Sequence, residues 1–152
     1  MEWRGAVKIV VDANIVVALI IPLPYSAQAA HRMMTWQRME AELFAPTLLE
    51  YEMVTALRKA ISAEMITADE ASDAVESLLT LTIQTVVPTK HLHSSALRWS
   101  ERLKQKAAYD AQYLALAEQL GAELWTADHR LANGAQQAGV TWVHWVDENL
   151  DR

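Results

Sequence analysis

A chain of 152 residues, 52% hydrophobic and 21% charged, is long enough to bury a core and too apolar to stay disordered, so one domain over 1–152 is expected. Without cysteine it can carry neither a disulfide framework nor a thiolate metal site, which fits a reducing cytoplasm. The net charge of −6 weighs mildly against a nucleic-acid partner, but Glu64, Asp69, Glu70, Asp73 and Glu76 crowd into 62–80 with no basic residue and leave the rest at −1.

Residues 9–11 form a β-branched run that reads as a buried strand. Asp12 closes it, Asn14 follows, and a second apolar run over 15–21, stopped by Pro22 and Pro24, reads as a short buried helix. That run is too short for a bilayer, which takes about 20 residues, so no membrane contact is expected. Arg4 and Lys8 before it and Ala27-Gln28-Ala29 after it imitate a secretory signal, but Asp12 and Asn14 break the apolar stretch such a signal needs.

Residues 25–40 continue helically, with Ala29, Ala30, Met33, Met34 and Trp36 on one stripe. A short strand over 43–46 is closed by its proline. Thr47 and Glu50 have capping-box spacing for a helix to about Ile61, and Thr67 and Glu70 repeat it for a helix to about Leu79. A strand over 82–87 ends at Pro88. Residues 90–106 read as a helix with Leu92, Ala96, Trp99 and Leu103 on one side, and Tyr109–Leu120 as an Ala/Leu-rich helix stopped by Gly121. A strand over 124–126, a helix over 128–138 ending at Gly139 and a last strand over 140–146 complete the chain. Strands alternating with helices predict an α/β fold with a parallel sheet covered by helices.

Four acids need an explanation beyond solubility. Asp12 alone could be a turn or cap residue, Asp110 an acid favoured by a helix dipole, and Asp128 a helix cap. Glu50 and Glu52 both flank the apolar face made by Leu49, Met53, Ala56, Leu57 and Ala60, and periodicity does not choose between them. Glu50 has a capping role, which leaves Glu52 freer. In a parallel sheet, Asp12 and Asp128 leave their strands at the same edge. Clustered carboxylates repel unless a cation offsets them, and hard divalent ions take oxygen ligands. Such a cluster holding Mg²⁺ or Mn²⁺ activates water and stabilises in-line displacement at phosphorus.

VVDANI, LLEYEMVTALRKA and AAYDAQYLALAEQLGAELWTADHRL resemble, in order and spacing, the motifs of PIN-domain ribonucleases, especially VapC-like toxins of toxin–antitoxin pairs. The stretch 109–131 is the most specific part. The resemblance implies acids at Asp12, Glu52, Asp110 and Asp128, with Asn14 and Thr126 as polar helpers. It selects Glu52 over Glu50 through a pattern of acid, two residues, Asn, one residue, Leu, in which Thr55 replaces the asparagine. It also implies a three-layer α/β/α sandwich, Mg²⁺ or Mn²⁺, RNA cleavage leaving a 5′-phosphate and a 3′-hydroxyl, a homodimer, and an antitoxin whose peptide covers the site.

Arg98, Arg102, Lys104 and Lys106 lead into Asp110; beside a metal site they would hold RNA phosphates, with Arg58, Lys59 and Arg130 as possible additions. His91 and His93 have metal-ligand spacing but no accompanying carboxylate, and His129 lies beside Asp128 within reach of a substrate. Met33, Met34, Trp36 and Met39 form either core or a groove for a partner helix. Trp99, Trp125 and Trp142 read as core, whereas Trp3 and Trp145 have no evident place. Two alternatives stay open: a catalytically silent module of the same fold that binds RNA or protein, and an aspartyl phosphatase. The phosphatase would need a second aspartate where Asn14 stands. A dinucleotide enzyme is excluded by the lack of a glycine-rich turn.

Overall fold

The computed structural model describes residues 5–105 and 108–148; Trp3 and Lys106 lie outside them. Five strands, β1 (Lys8–Val11), β2 (Glu42–Pro46), β3 (Ile83–Val86), β4 (Glu123–Thr126) and β5 (Val143–Trp145), form one parallel sheet in the order β3-β2-β1-β4-β5. Seven helices connect them: α1 (Ala13–Ala18), α2 (Ser26–Arg38), α3 (Leu48–Ser62), α4 (Ala68–Leu79), α5 (Lys90–Arg102), α6 (Tyr109–Leu120) and α7 (His129–Gln137). Right-handed crossovers put α1–α4 on one face of this sheet and α5–α7 on the other. The packing agrees: α1 contacts α2 and α3, α3 contacts α4, and α5 lies along α6.

The core sits on the central strand. Ile9, Val10 and Val11 are all buried because β1 is covered on both faces, so the strand reads as a continuous apolar run. On α6, Ala111 and every residue from Tyr113 to Ala117 are buried, as expected of a helix inside the protein. No helix among the described residues is long and apolar enough to cross a membrane.

Several element ends differ from the sequence expectations, each for a local reason. The helix expected over 15–21 stops at Ala18, since Pro22 disfavours helical geometry just before itself. Thr67 and Glu70 make both bonds of a capping box, but Thr47 makes none. Its backbone is not extended as a cap requires, and its N–H still pairs with Val86 O at 3.2 Å, continuing the sheet. The last strand is Val143–Trp145 and not 140–146, because the Val140 N–H bonds back to Ala135 O and closes α7. The expected helix 90–106 ends at Arg102, and Lys104 turns the chain with φ 55°.

Of the methionine stripe, Met33 and Trp36 are core while Met34 and Met39 are exposed. Trp99 and Trp125 are buried, Trp142 packs edge-on against Trp99, and Trp145 lies against His129.

Candidate active site

The strand order reverses direction at β1: the chain passes from β1 to β2 on one side and later returns to β4 on the other. The crevice at the carboxyl ends of β1 and β4 is thus a topological switch point, where open α/β sheets place their ligands. Asp12 follows β1 there, and Thr126 ends β4 beside it. The Asp12 N–H donates to Trp125 O at 3.0 Å, and the Thr126 hydroxyl donates to Asp12 Oδ2 at 2.9 Å. Asn14 joins the two strands: its Nδ2 donates to Thr126 Oγ1 at 3.2 Å and to Asp12 Oδ2 at 3.4 Å, and its Oδ1 accepts from the Ala127 N–H at 3.0 Å. Although Asp12 precedes α1, its side chain makes no capping bond, so the cap reading does not apply.

Asp128 does cap its helix. Oδ1 accepts from the N–H groups of Arg130 and Leu131 at 3.0 and 3.3 Å, while Oδ2 has no hydrogen-bond partner among the described residues. Its own N–H donates to Thr126 Oγ1 at 3.0 Å, tying it to Asp12 through one hydroxyl. Asp110 sits in the first turn of α6. Glu52, in the second turn of α3, accepts from the Tyr113 hydroxyl at 2.7 Å, whereas Glu50 is exposed.

These acids feel one another. Burial, then Asp110 and Glu52, push the Asp12 carboxyl up to about 7, against the pull of the Thr126 hydroxyl and the Ala13 N–H. Burial and then Asp128 raise Asp110; burial and then Asp110 raise Glu52, against the Tyr113 hydrogen bond. Among the described residues no lysine or arginine forms an ion pair with any of the four. Hydrogen bonds, and no described ion pair, are what offset their mutual repulsion.

Residues 10–148 match the PIN domain. The chain belongs to the PIN-domain family. Among the relatives of this PIN chain, Ribonuclease VapC3 of Pyrobaculum aerophilum is 34% identical over 128 residues, which cover 82% of this chain and 92% of that protein. Ribonuclease VapC12 of Mycobacterium tuberculosis is 31% identical over 133 residues, 82% of this chain and 89% of that one. A chain of a toxin–antitoxin complex from Klebsiella pneumoniae superposes with a TM-score of 0.65 at 18% identity, over 95% of this chain and all of that one, and shares the fold.

The donor set of this PIN site consists of hard oxygens, which suits Mg²⁺ or Mn²⁺. Among the described residues no three His, Asp or Glu side chains stand close enough together to hold an ion by themselves. Such a site suits a cation bound by one or two carboxylates with water completing its shell, the habit of Mg²⁺.

The basic residues separate. Arg102, Lys104 and Arg130 line a cleft of about 550 Å³ that includes Asp110 and Asp128. Arg102 is partly spent there, donating to Ala138 O at 2.7 Å and lying 4.9 Å over the Trp99 ring. Arg98 is exposed and does not line the cleft, and Lys106 is outside the described residues. Lys59 lines a second cavity, of about 530 Å³, with Glu52, Tyr51 and Tyr109. His91 is exposed, His93 pairs with Gln112, and His129 is held on Trp145 at 4.4 Å.

Sequence reasoning missed Tyr113. Its signal was a hydroxyl inside the apolar run of this helix, three residues after Asp110 and so on the same helix face.

Proposed function

We propose that this PIN chain is a Mg²⁺- or Mn²⁺-dependent endoribonuclease that hydrolyses RNA phosphodiester bonds, and the toxin of a cytoplasmic toxin–antitoxin pair. The observation that carries this reading is the meeting of four acids at one sheet edge with no described cationic side chain paired to them. Two relatives that are at least 31% identical carry the name ribonuclease.

Asp12, Glu52, Asp110 and Asp128 would hold the cation, one or two of them directly and the others through water; when bound it supplies positive charge to activate water and to offset charge developing at phosphorus. Asn14 of α1 and Thr126 of β4 hold Asp12 and keep one of its oxygens in a fixed direction. The hydroxyl of Thr126 also fixes the N–H of Asp128, so two of the acids move as one body. Lys104 and Arg130 give the RNA backbone a cationic wall beside Asp110 and Asp128. Both ends of Asn14 are engaged in this frame, which speaks against a phosphatase using that position as an acid.

An antitoxin partner is supported by the complex in which the Klebsiella neighbour occurs. An apolar cavity of about 420 Å³, lined by Val17, Ile21, Leu23 and Met65, opens beside Asn14 and Glu52, where a covering peptide would block the site. Tyr51 and Val54, exposed on α3, offer apolar surface to a second copy in a homodimer.

The reading is tested by incubating a panel of structured RNAs with Mn²⁺ and either the wild-type protein or Asp12→Asn. Cleavage by the wild type alone is expected. Cleavage that survives Asp12→Asn sinks the proposal; binding without cleavage favours a silent module, and a phosphorylated Asp12 a phosphatase.

A further inference from the structure

Tyr113 is fully buried on α6, between Ala111 and Leu114, and its hydroxyl donates to Glu52 Oε1 at 2.7 Å. The fold does not ask for this bond. Phenylalanine would fill the same space without bringing a polar atom that must be satisfied, and a half-buried glutamate at the sheet edge could turn to water. Among the described residues, hydroxyl and carboxylate are each other's sole side-chain hydrogen-bond partner, and theirs is the one side-chain hydrogen bond joining α3 to α6.

A glutamate has three side-chain torsions, the last of them broad, so an untethered Glu52 carboxylate would sweep a wide arc. The bond holds Oε1 and leaves Oε2 unpartnered among the described residues. Tyr113 and Asp110 are three residues apart on α6, so one helix face delivers an acid of the site and the anchor of another acid. Because α3 and α6 cover opposite faces of the sheet, the bond also spans the site.

We infer that Tyr113 is a positioning residue of the site, holding Glu52 in the orientation in which it faces the acid cluster of Asp12 and Asp110 and would hold a hydrated divalent cation there, directly or through water. The inference rests on the nuclease reading above. Tyr113→Phe removes the hydroxyl and keeps every carbon of the ring.

The expected result is Mn²⁺ binding about 10- to 100-fold weaker, measured by titration calorimetry on RNA-free protein, with a similar loss in kcat and an unchanged KM for RNA. In a Glu52→Gln background the same substitution should change Mn²⁺ affinity no further. Leu114→Val, which removes a methylene from the same buried helix, is the packing control: it should lower the melting temperature and leave Mn²⁺ affinity unchanged. Unchanged Mn²⁺ affinity in Tyr113→Phe overturns the inference, and so do equal losses in Tyr113→Phe and Leu114→Val or a wild type that binds no Mn²⁺. A wild type that binds Mn²⁺ but cuts no RNA defeats the nuclease reading instead, and the calorimetry still judges Tyr113.

Discussion

Asp12 is 4% exposed, and its hydrogen-bond donors, the Thr126 hydroxyl, the Asn14 amide and the Ala13 N–H, are all neutral. Neutral donors orient a carboxylate without cancelling its charge, which keeps that charge available to a cation and makes it expensive in the cation's absence. His144 is handled in the opposite way. Its ring stacks on Trp125 at 4.8 Å between Glu123, at 3.5 Å, and Glu148, at 2.8 Å. The hydrogen bond to Glu123 and then that to Glu148 raise its pKa above 6.5, against burial. A raised folded pKa means that the stabilisation is fully present below about 6.5 and is lost as pH rises through the folded value. His144→Gln should therefore remove a pH-dependent contribution of about 0.5–1 kcal/mol, discounted because the pair is only half-buried. Denaturant unfolding of both proteins at pH 5.5 and 8.5 checks this. The gap between them should be wider at pH 5.5, and a gap equal at both values would show that the ion pairs contribute nothing.

At the scale of elements, five chain reversals after helices share one device. Glu40, Glu64, Lys104, Gly121 and Gly139 all have positive φ and follow helix ends, and in each case the next residue's N–H reaches back into the last turn. This geometry favours glycine at the left-handed position, yet only two of the five are glycine. Glu64 also puts negative charge at the C-terminus of α3, where the helix dipole disfavours it. Glu64→Gly should stabilise the protein by about 0.5–1 kcal/mol and raise Tm by about 1–4 °C, as thermal unfolding would register. An unchanged or lower Tm would mean that glycine's extra freedom in the unfolded chain offsets the relief. Lys104 occupies the same kind of position at the mouth of the cleft beside Asp110. A lysine there gives up backbone ease and places its charge beside the site.

For the whole molecule, the sheet gathers acids from four separate segments at one edge, and folding works against their repulsion. A cation that binds only the folded protein must then stabilise it by mass action. At about a hundred times its dissociation constant, Mn²⁺ should add roughly 2.7 kcal/mol, seen as a rise in Tm that Asp12→Asn largely removes. A wild-type Tm indifferent to Mn²⁺ would show that the four carboxylates do not act together on a cation.

What could be read from the sequence was local. The β-branched run before Asp12, the Thr67–Glu70 cap and the Gly121 stop each depend on neighbours within a few residues, so strand and helix alternation was legible and with it a parallel sheet. The three aspartates were legible as residues at junctions, and the resemblance chose Glu52 on its helix flank where periodicity could not. Local rules also overreached: Thr47 looks like a cap until its N–H is claimed by Val86, 39 positions later in the chain. Only the tertiary structure decided which groups meet. Asp12 and Thr126 are 114 residues apart, and Tyr113 and Glu52 are 61 apart. The physical reason is that Tyr113 satisfies the core pattern with its ring, and nothing in that pattern records where its hydroxyl points. The hydroxyl's direction is set by how α6 and α3 meet at the sheet edge.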